Sequence, residues 1–375
     1  MNWLTRTDLA KHAWQTSHAL LFANEPGEEF LPLNAEGIKA AQAISALTIN
    51  KLGFNRKQRV LVALNQTSSA AVTLLAQTIA TSGANVALTN PRGRMRLLST
   101  LRSLKPNVLI MTSCGAMDFL ARLYIEFNVD PEELGITHIV LVGEIPSEGA
   151  CQRISREFSC QVSQLYCDPF FGVALAIQQN GQWQEGEPGI IRLAPLTENK
   201  KFDKLLSDSI DQYSEIVIDP TWSTVDLLNT TLRTGQVVAP SVSSTQSICQ
   251  RDSLFQHTLG EHVMVRGLWL SLPRLRRCLT TIDGVASLTL EIFRGEGTLD
   301  SATLTVGFNR SSLVENPMWK KRLSEAVSSA TAISIQVKTE LIAEQTTKQK
   351  ETVIDHRGHH LGVDRKNLFL PETVE

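Results

Sequence analysis

Between Arg59 and Leu165 the chain alternates short apolar runs with amphipathic segments, and this alternation limits the possible folds more than any other feature. Arg59-Val60-Leu61-Val62-Ala63-Leu64, Ala84-Asn85-Val86-Ala87-Leu88, Val108–Thr112 and Ile139–Gly143 read as strands, with a shorter one at Val162–Leu165. Helices are expected between them over Ala70–Ser82, Gly93–Leu104, Ala116–Phe127 and Ser147–Phe158. Another precedes the first strand, over 35–50, where Ile38, Ala41, Ile44, Leu47 and Ile49 recur at helical spacing. Strands that alternate with helices in this way form a parallel-rich sheet with helices on its faces.

Size and composition allow such a core. The 375 residues, 42% of them apolar, suffice for one large domain and a small one. The net charge of −2 and the absence of a basic run argue against a dedicated nucleic-acid binder. The N-terminal residues carry no continuous apolar stretch of signal-peptide length, and no later run approaches the roughly 20 residues of a membrane span. A cytoplasmic protein with no membrane partner is therefore expected. The six cysteines form no C-x-x-C pair and read as free thiols. Neither Cys114 nor Cys160 has a base in a recognisable motif, and Ser113 has no G-x-S-x-G elbow. His356 and His360, four apart, would share a helix face as metal ligands, but Gly358 and polar flanks favour a solvated tail, so no metal is expected.

After Val173 the pattern shortens to strands and turns: Ala174–Gln179, a hairpin at Asn180-Gly181, and Gly189–Leu193, followed by a polar excursion over 198–214. A second shift falls near Leu259-Gly260. From there the order is strand (Val263–Val265), helix (Pro273–Thr281), strand (Ser287–Phe293), strand (Ala302–Phe308), helix (Met318–Ser328) and strand (Ile333–Lys338). This βαββαβ order is that of a small ferredoxin-like α+β domain. The expected division is thus a large α/β domain over 1–258, a small domain over 259–343 and a polar tail over 344–375. The first thirty residues, with Trp3, Leu4, Leu9, Trp14, Leu20, Leu21 and Phe22, offer one amphipathic cover helix, and the two tryptophans suit either an interface anchor or the chain's own core.

Several segments, in order, resemble phenylacetate–CoA ligases of the adenylate-forming superfamily. Asn128–Gly135 followed by IVLVGEIPSEGACQRISREF is similar to that family's G-x-D-P-x-E-L turn, strand, G-A-E-P turn and helix; Gly143 and Pro146 keep the turn, and the acidic position falls on Ile145. NVLIMTSCGAMDFLARL resembles the preceding strand and helix, with Ser113 and Cys114 in place of its proline and serine. Leu232-Arg233-Thr234-Gly235-Gln236 resembles Y-R-T-G-D, MVRGLWLSLPRLRRCL matches the lid segment at Arg266, Gly267 and Pro273, and TTKQKETVIDHR resembles the K-x-K-R-V-x-D-x-R tail. The resemblance runs over roughly residues 30–357 and implies a large α/β domain with a mobile C-terminal lid.

The departures fall on the groups that would handle ATP. No Ser/Thr/Gly-rich phosphate loop precedes the first helix, so the family's N-terminal subdomain is expected to be missing. Thr67-Ser68-Ser69 is the nearest polar cluster and reads as a helix cap. The Y-G-x-T-E motif becomes Tyr166-Cys167-Asp168-Pro169-Phe170, with an apolar ring where the metal-binding glutamate stands and Asp168 two residues away. Gln236 replaces the ribose-binding aspartate, and the tail lysine aligns with Gln349 between Lys348 and Lys350. The resemblance therefore implies a vestigial acyl or nucleotide pocket at Ser113, Cys114, Tyr166, Asp168, Arg233 and Gln236. It also implies a vestigial lid carrying Arg266, Lys348 and Lys350, and no cofactor. The expected function is a non-catalytic scaffold, chaperone or activator acting on a carrier protein or a phosphopantetheinyl transferase in polyketide or secondary metabolism, as a homodimer or with that partner. The alternative is a residual enzyme that binds a CoA thioester.

Overall fold

Side chains alternate across a strand, so each apolar run offers one set of residues to either face of a sheet. The computed structural model shows both sets buried; it describes residues 2–11, 20–24, 29–65, 70–203, 208, 210–223, 227, 229–240, 253–294, 300–314, 316–342 and 350–371. The chain divides into two compact units, residues 1–256 and residues 257–372.

Unit 1 begins with strand β1 (Asn2–Leu4), helix α1 (Arg6–Lys11) and a hairpin of β2 (Leu20–Asn24) and β3 (Glu29–Leu33). It continues through α2 (Ala35–Ile49), β4 (Arg59–Ala63), α3 (Ala70–Thr81), β5 (Asn85–Thr89), α4 (Arg94–Leu104), β6 (Val108–Met111), α5 (Ser113–Arg122), β7 (His138–Val142), α6 (Glu148–Glu157) and β8 (Gln161–Cys167). Then come β9 (Ala174–Gln179), β10 (Gln182–Glu185), β11 (Ile191–Pro195), β12 (Ser214–Ile218) and β13 (Thr230–Val238). The main sheet has seven strands in the order β10-β9-β8-β7-β6-β4-β5. Its β4 to β8 pairs are parallel, and β9 and β10 join antiparallel. Val60, Val62, Val108 and Ile110 pack with α2 and α3 on one face. Leu61, Ala63, Leu109 and Met111 pack with α4, α5 and α6 on the other. A second sheet, β1-β13-β12-β11, has β1 parallel to β13 and its other pairs antiparallel.

The α/β class and the parallel-rich sheet are as expected from the sequence. The N-terminus is not. Asn2–Leu4 is a strand paired with Thr230–Leu232, and the helix after it has only six residues. Trp3 lies under the Arg233 guanidinium, 4.9 Å from ring centroid to Cζ, and Leu4 and Leu9 are buried. These side chains complete the unit's own second sheet. Trp14 lies outside the described residues, as do Thr67, Ser68 and Ser69.

Unit 2 contains β14 (His257–Thr258), a hairpin of β15 (His262–Val265) and β16 (Leu268–Ser271), α7 (Leu272–Thr280), β17 (Val285–Arg294), β18 (Asp300–Phe308), α8 (Ser311–Val314), α9 (Pro317–Ala330), β19 (Ile335–Leu341) and β20 (Lys350–Asp355). It is a small α+β unit with α7 and α9 packed on a four-stranded sheet. Two details differ from the βαββαβ reading. Among the described residues the strand at 262–265 pairs only with its hairpin partner, and the sheet order is β19-β18-β17-β20. Its fourth place is filled by Lys350–Asp355, parallel to β17, so six residues of the polar tail are an edge strand of this unit. Polar alternation concealed it, because an edge strand covered on one face needs few apolar residues.

Candidate functional site

In an open parallel sheet the strands deliver their loops to one edge, beyond their C-terminal ends, and ligand crevices form there. Unit 1 has a narrow cleft at that edge, with an empty volume, mouth included, of about 390 Å³. Ser113 after β6, the Gly143–Pro146 turn after β7, and Tyr166 on β8 form its floor; Trp183, Gln236 and Phe255 close it from the antiparallel elements.

The start of α5 is satisfied from within. Thr112 caps it, its hydroxyl accepting from Gly115 N–H at 3.0 Å. Glu144 Oε2 accepts from Cys114 N–H at 2.7 Å, although only 9% of that residue is exposed. A carboxylate at a helix N-terminus is favoured by the dipole and occupies the place an external anion would take. Glu144 was missed in the sequence because the acid shifted by one position from Ile145; the signal was an acidic residue inside a turn that follows a buried strand. Ile145 itself is buried and apolar.

Tyr166 and Gln236 lie seventy residues apart in sequence and meet across the cleft. The tyrosine hydroxyl donates to Gln236 Oε1 at 2.8 Å. Burial, with Asp168 adding to it, pushes the phenol well above its ordinary range, so it is a neutral donor. Phe255 meets the Tyr166 ring edge-on, with centroids 6.3 Å apart. Burial also pushes the Cys167 thiol far up and that of Cys160 to about 11, which leaves both protonated and poor nucleophiles.

Two of the anticipated pocket residues are employed elsewhere. Asp168 holds the turn after β8: Oδ1 accepts from Phe170 N–H (3.0 Å) and Phe171 N–H (2.7 Å), and Oδ2 from Val173 N–H (2.6 Å). Burial pushes this carboxyl up to about 6 against the pull of those donors and of Arg6. The turn lies against α3 so closely that a Cβ on Gly172 (φ +73°) would stand 2.6 Å from that of Ala71. Phe170, where the resemblance places a metal-binding glutamate, is fully buried with Arg6 over its ring at 5.3 Å. Arg233 is 3% exposed and forms an ion pair with Glu215, whose other oxygen accepts from Gly235 N–H at 2.9 Å. The same guanidinium donates to Glu198 O and Pro195 O. So Ser113, Tyr166 and Gln236 line the cleft, Cys114 borders it through its backbone, and Asp168 and Arg233 are structural.

In unit 2, Arg266 (φ +53°) and Gly267 (φ +70°) make the two-residue turn of the β15–β16 hairpin. The Arg266 side chain donates to Asp300 O. The side chain of Lys350 and all of Lys348 lie outside the described residues. His356 and His360 share no helix face. His356 stacks on Phe293 (centroids 4.2 Å apart), and His360 Nδ1 lies 3.2 Å from the Thr258 hydroxyl. Backbone bonds from Thr258 to His359 and from Leu361 to Thr258 hold this segment to β14.

Burial pushes His359 and His360 down to about 4, with Arg357 adding to the shift and Asp355 opposing it. An unfolded histidine titrates near 6.5, so between about pH 6.5 and 4 the unfolded chain holds the extra protons. The stability these rings contribute is therefore present above pH 6.5 and lost as pH falls towards 4. It is at most ~3 kcal/mol per ring, and less where water reaches it. Urea midpoints at pH 7 and pH 5 check this: the midpoint should fall at pH 5, and by less in His360→Phe. An equal fall in that variant would show that His360 is not a source.

No protein-family model matches the chain, and no curated protein matches it. Solved structures do. The fold is similar to 2-hydroxyisobutyryl-CoA ligase in complex with 2-HIB-AMP and CoA, with TM-score 0.71 and 15% identity, covering 94% of this chain and 80% of that one. It is similar to the amide bond synthetase of Marinactinospora thermotolerans (TM-score 0.59, 12% identity, 86% and 65% covered). It is also similar to an o-succinylbenzoate CoA synthetase double mutant from Bacillus subtilis (TM-score 0.57, 16% identity, 86% and 65% covered). The fold is thus one that these CoA ligases and the amide bond synthetase share. At these identities the likeness is one of architecture, and among the described residues no helix is long and apolar enough to cross a membrane.

Proposed function

We propose that this chain is a non-catalytic member of the adenylate-forming group, a phenylacetate–CoA ligase relative whose nucleotide cleft is closed by its own side chains. The observation that carries this reading is the Tyr166–Gln236 bond across the cleft, between the retained tyrosine of the Y-G-x-T-E motif and the residue that stands where the resemblance places the ribose-binding aspartate. Glu144 in the neighbouring turn supports it, since a buried carboxylate repels phosphate, and Phe170 offers no ligand to a hard cation. A chain of this kind would act by binding. The role we favour is scaffold, chaperone or activator for a carrier protein or its phosphopantetheinyl transferase in secondary metabolism, with self-association or that partner completing the assembly.

Thermal unfolding with millimolar ATP and Mg²⁺ tests the first part. No rise in Tm is expected, whereas a ligand at a hundred times its Kd adds about 2.7 kcal/mol. An ATP-dependent rise, or pyrophosphate release with any aryl or acyl acid, would overturn the reading. A rise with a CoA thioester alone would favour the residual acyl-transfer enzyme instead.

A further inference from the structure

The hydrogen bond across the cleft of unit 1 leaves part of each partner unused. Tyr166 gives its phenolic proton to Gln236 Oε1, and its oxygen accepts from nothing among the described residues. Gln236 uses its amide oxygen in that bond, and its backbone N–H goes to the Thr234 hydroxyl. The two N–H groups of its side-chain amide have no acceptor among the described residues, although only 3% of the residue is exposed. Ser113 is in the same condition. It is 5% exposed and lines the cleft, and Thr112 caps α5 in its place, so the Ser113 hydroxyl has no partner among the described residues.

Buried polar groups in native structures are almost always hydrogen-bonded, to protein, to water or to a ligand. Here three such side chains line one cleft, and their chemistry discriminates between ligands. The Gln236 amide hydrogens require an acceptor, the Tyr166 oxygen requires a donor, and the Ser113 hydroxyl serves as either. A carboxylate or phosphate would bring acceptors alone. It would also stand near Glu144, with no Lys, Arg or His among the described lining residues to offset the charge. An organic cation would bring donors alone and leave the Gln236 amide without an acceptor.

An uncharged carboxamide brings both. Its oxygen has two lone pairs for the Gln236 and Ser113 donors, and its N–H matches the phenol oxygen. Leu141, Val142, Pro146, Leu254 and Phe255 complete the lining with apolar surface suited to a flat hydrocarbon group. We propose that the cleft of unit 1 binds a small uncharged carboxamide bearing an aryl or alkyl group, on the reading that it no longer takes nucleotide. Gln236 then has a use of its own: an aspartate there, as the resemblance places it, would offer acceptors alone, whereas the amide adds the donors a carbonyl oxygen needs.

Three probes of one shape separate the possibilities: benzamide is neutral, benzoate an anion and benzamidinium a cation. Each is added to the full chain near neutral pH and followed by saturation-transfer NMR and thermal unfolding. Benzamide is expected to bind at millimolar concentration, about tenfold or more tightly than either charged isostere. Gln236→Met should weaken it about tenfold and Ser113→Ala several-fold, the usual worth of lost hydrogen bonds. Gln236→Met also strands the Tyr166 hydroxyl and should lower Tm, whereas Ser113→Ala removes no bond of the fold and should keep it, which separates lost binding from lost folding. No benzamide binding by the wild type, equal or tighter binding of benzoate or benzamidinium, or undiminished affinity in both variants would overturn the proposal. A rise in Tm with ATP and Mg²⁺ would overturn the closed-cleft reading and the carboxamide with it. Failure of benzamide without that rise would remove the carboxamide alone.

Discussion

Arg233→Met is expected to destabilise unit 1 by about 3–5 kcal/mol, the usual cost of leaving one partner of a buried ion pair alone. Glu215 is fully buried and Arg233 nearly so, and the guanidinium also satisfies the carbonyls of Pro195 and Glu198. Methionine keeps most of the volume, and so isolates the electrostatic cost from a cavity. Urea unfolding followed by circular dichroism reads the loss. The double variant Arg233→Met/Glu215→Leu should recover part of it, because no buried charge is then left unpaired. A single-variant loss below about 1 kcal/mol would mean that water or another group relieves Glu215. The same measurement bears on function: if Arg233 served a ligand instead of the fold, its replacement would leave stability nearly unchanged.

The second large effect is expected at Arg357→Met, again about 3–5 kcal/mol, now in unit 2. Arg357 donates from Nε and Nη2 to both oxygens of Asp355 (2.8 and 2.7 Å), from Nη2 to Met264 O (2.9 Å), and from Nη1 to Asp300. All three side chains are at most 2% exposed. Burial alone would push the Asp355 carboxyl up, but the hydrogen bond and charge of Arg357 bring it below its usual value, while the two carboxylates hold the guanidinium's pKa up. Replacing Arg357 leaves the buried Asp355 without its cation, whereas Asp300 keeps Arg294 at 2.8 Å, so β20 and the segment after it should lose protection from hydrogen exchange before the rest of unit 2. Uniform protection across unit 2 in the variant would contradict this.

Asp355 and Arg357 show what a sequence motif can and cannot convey. They stand at the end of the segment that resembles the ligase tail, and Lys350–Asp355 within it form β20. Their role was hidden, because Asp300 and Met264, which complete the network, lie in other segments. Asp168 is the reverse case. Its chemical type suggested a ligand to metal or nucleotide, and its backbone partners, Phe170, Phe171 and Val173, make it the centre of a turn. A carboxylate that accepts three backbone N–H groups within five residues is a local structural device, but only the path of the chain shows that it turns there.

The sequence by itself determined the alternating strands and helices of unit 1, because burial on both faces of a parallel sheet demands runs such as Val60–Leu64 whatever the surroundings. It also located α7 and α9, through their apolar spacing, though α9 runs further at both ends than the expected Met318–Ser328. Tertiary structure alone decided which strand filled the fourth place in the small sheet, whether Trp3 faced a partner or Arg233, and that Tyr166 and Gln236 meet. The physical reason is range. Strand and helix patterns are set by side chains a few residues apart, whereas ion pairs and cleft walls are made by residues that share no local signal and become neighbours only when the core has packed.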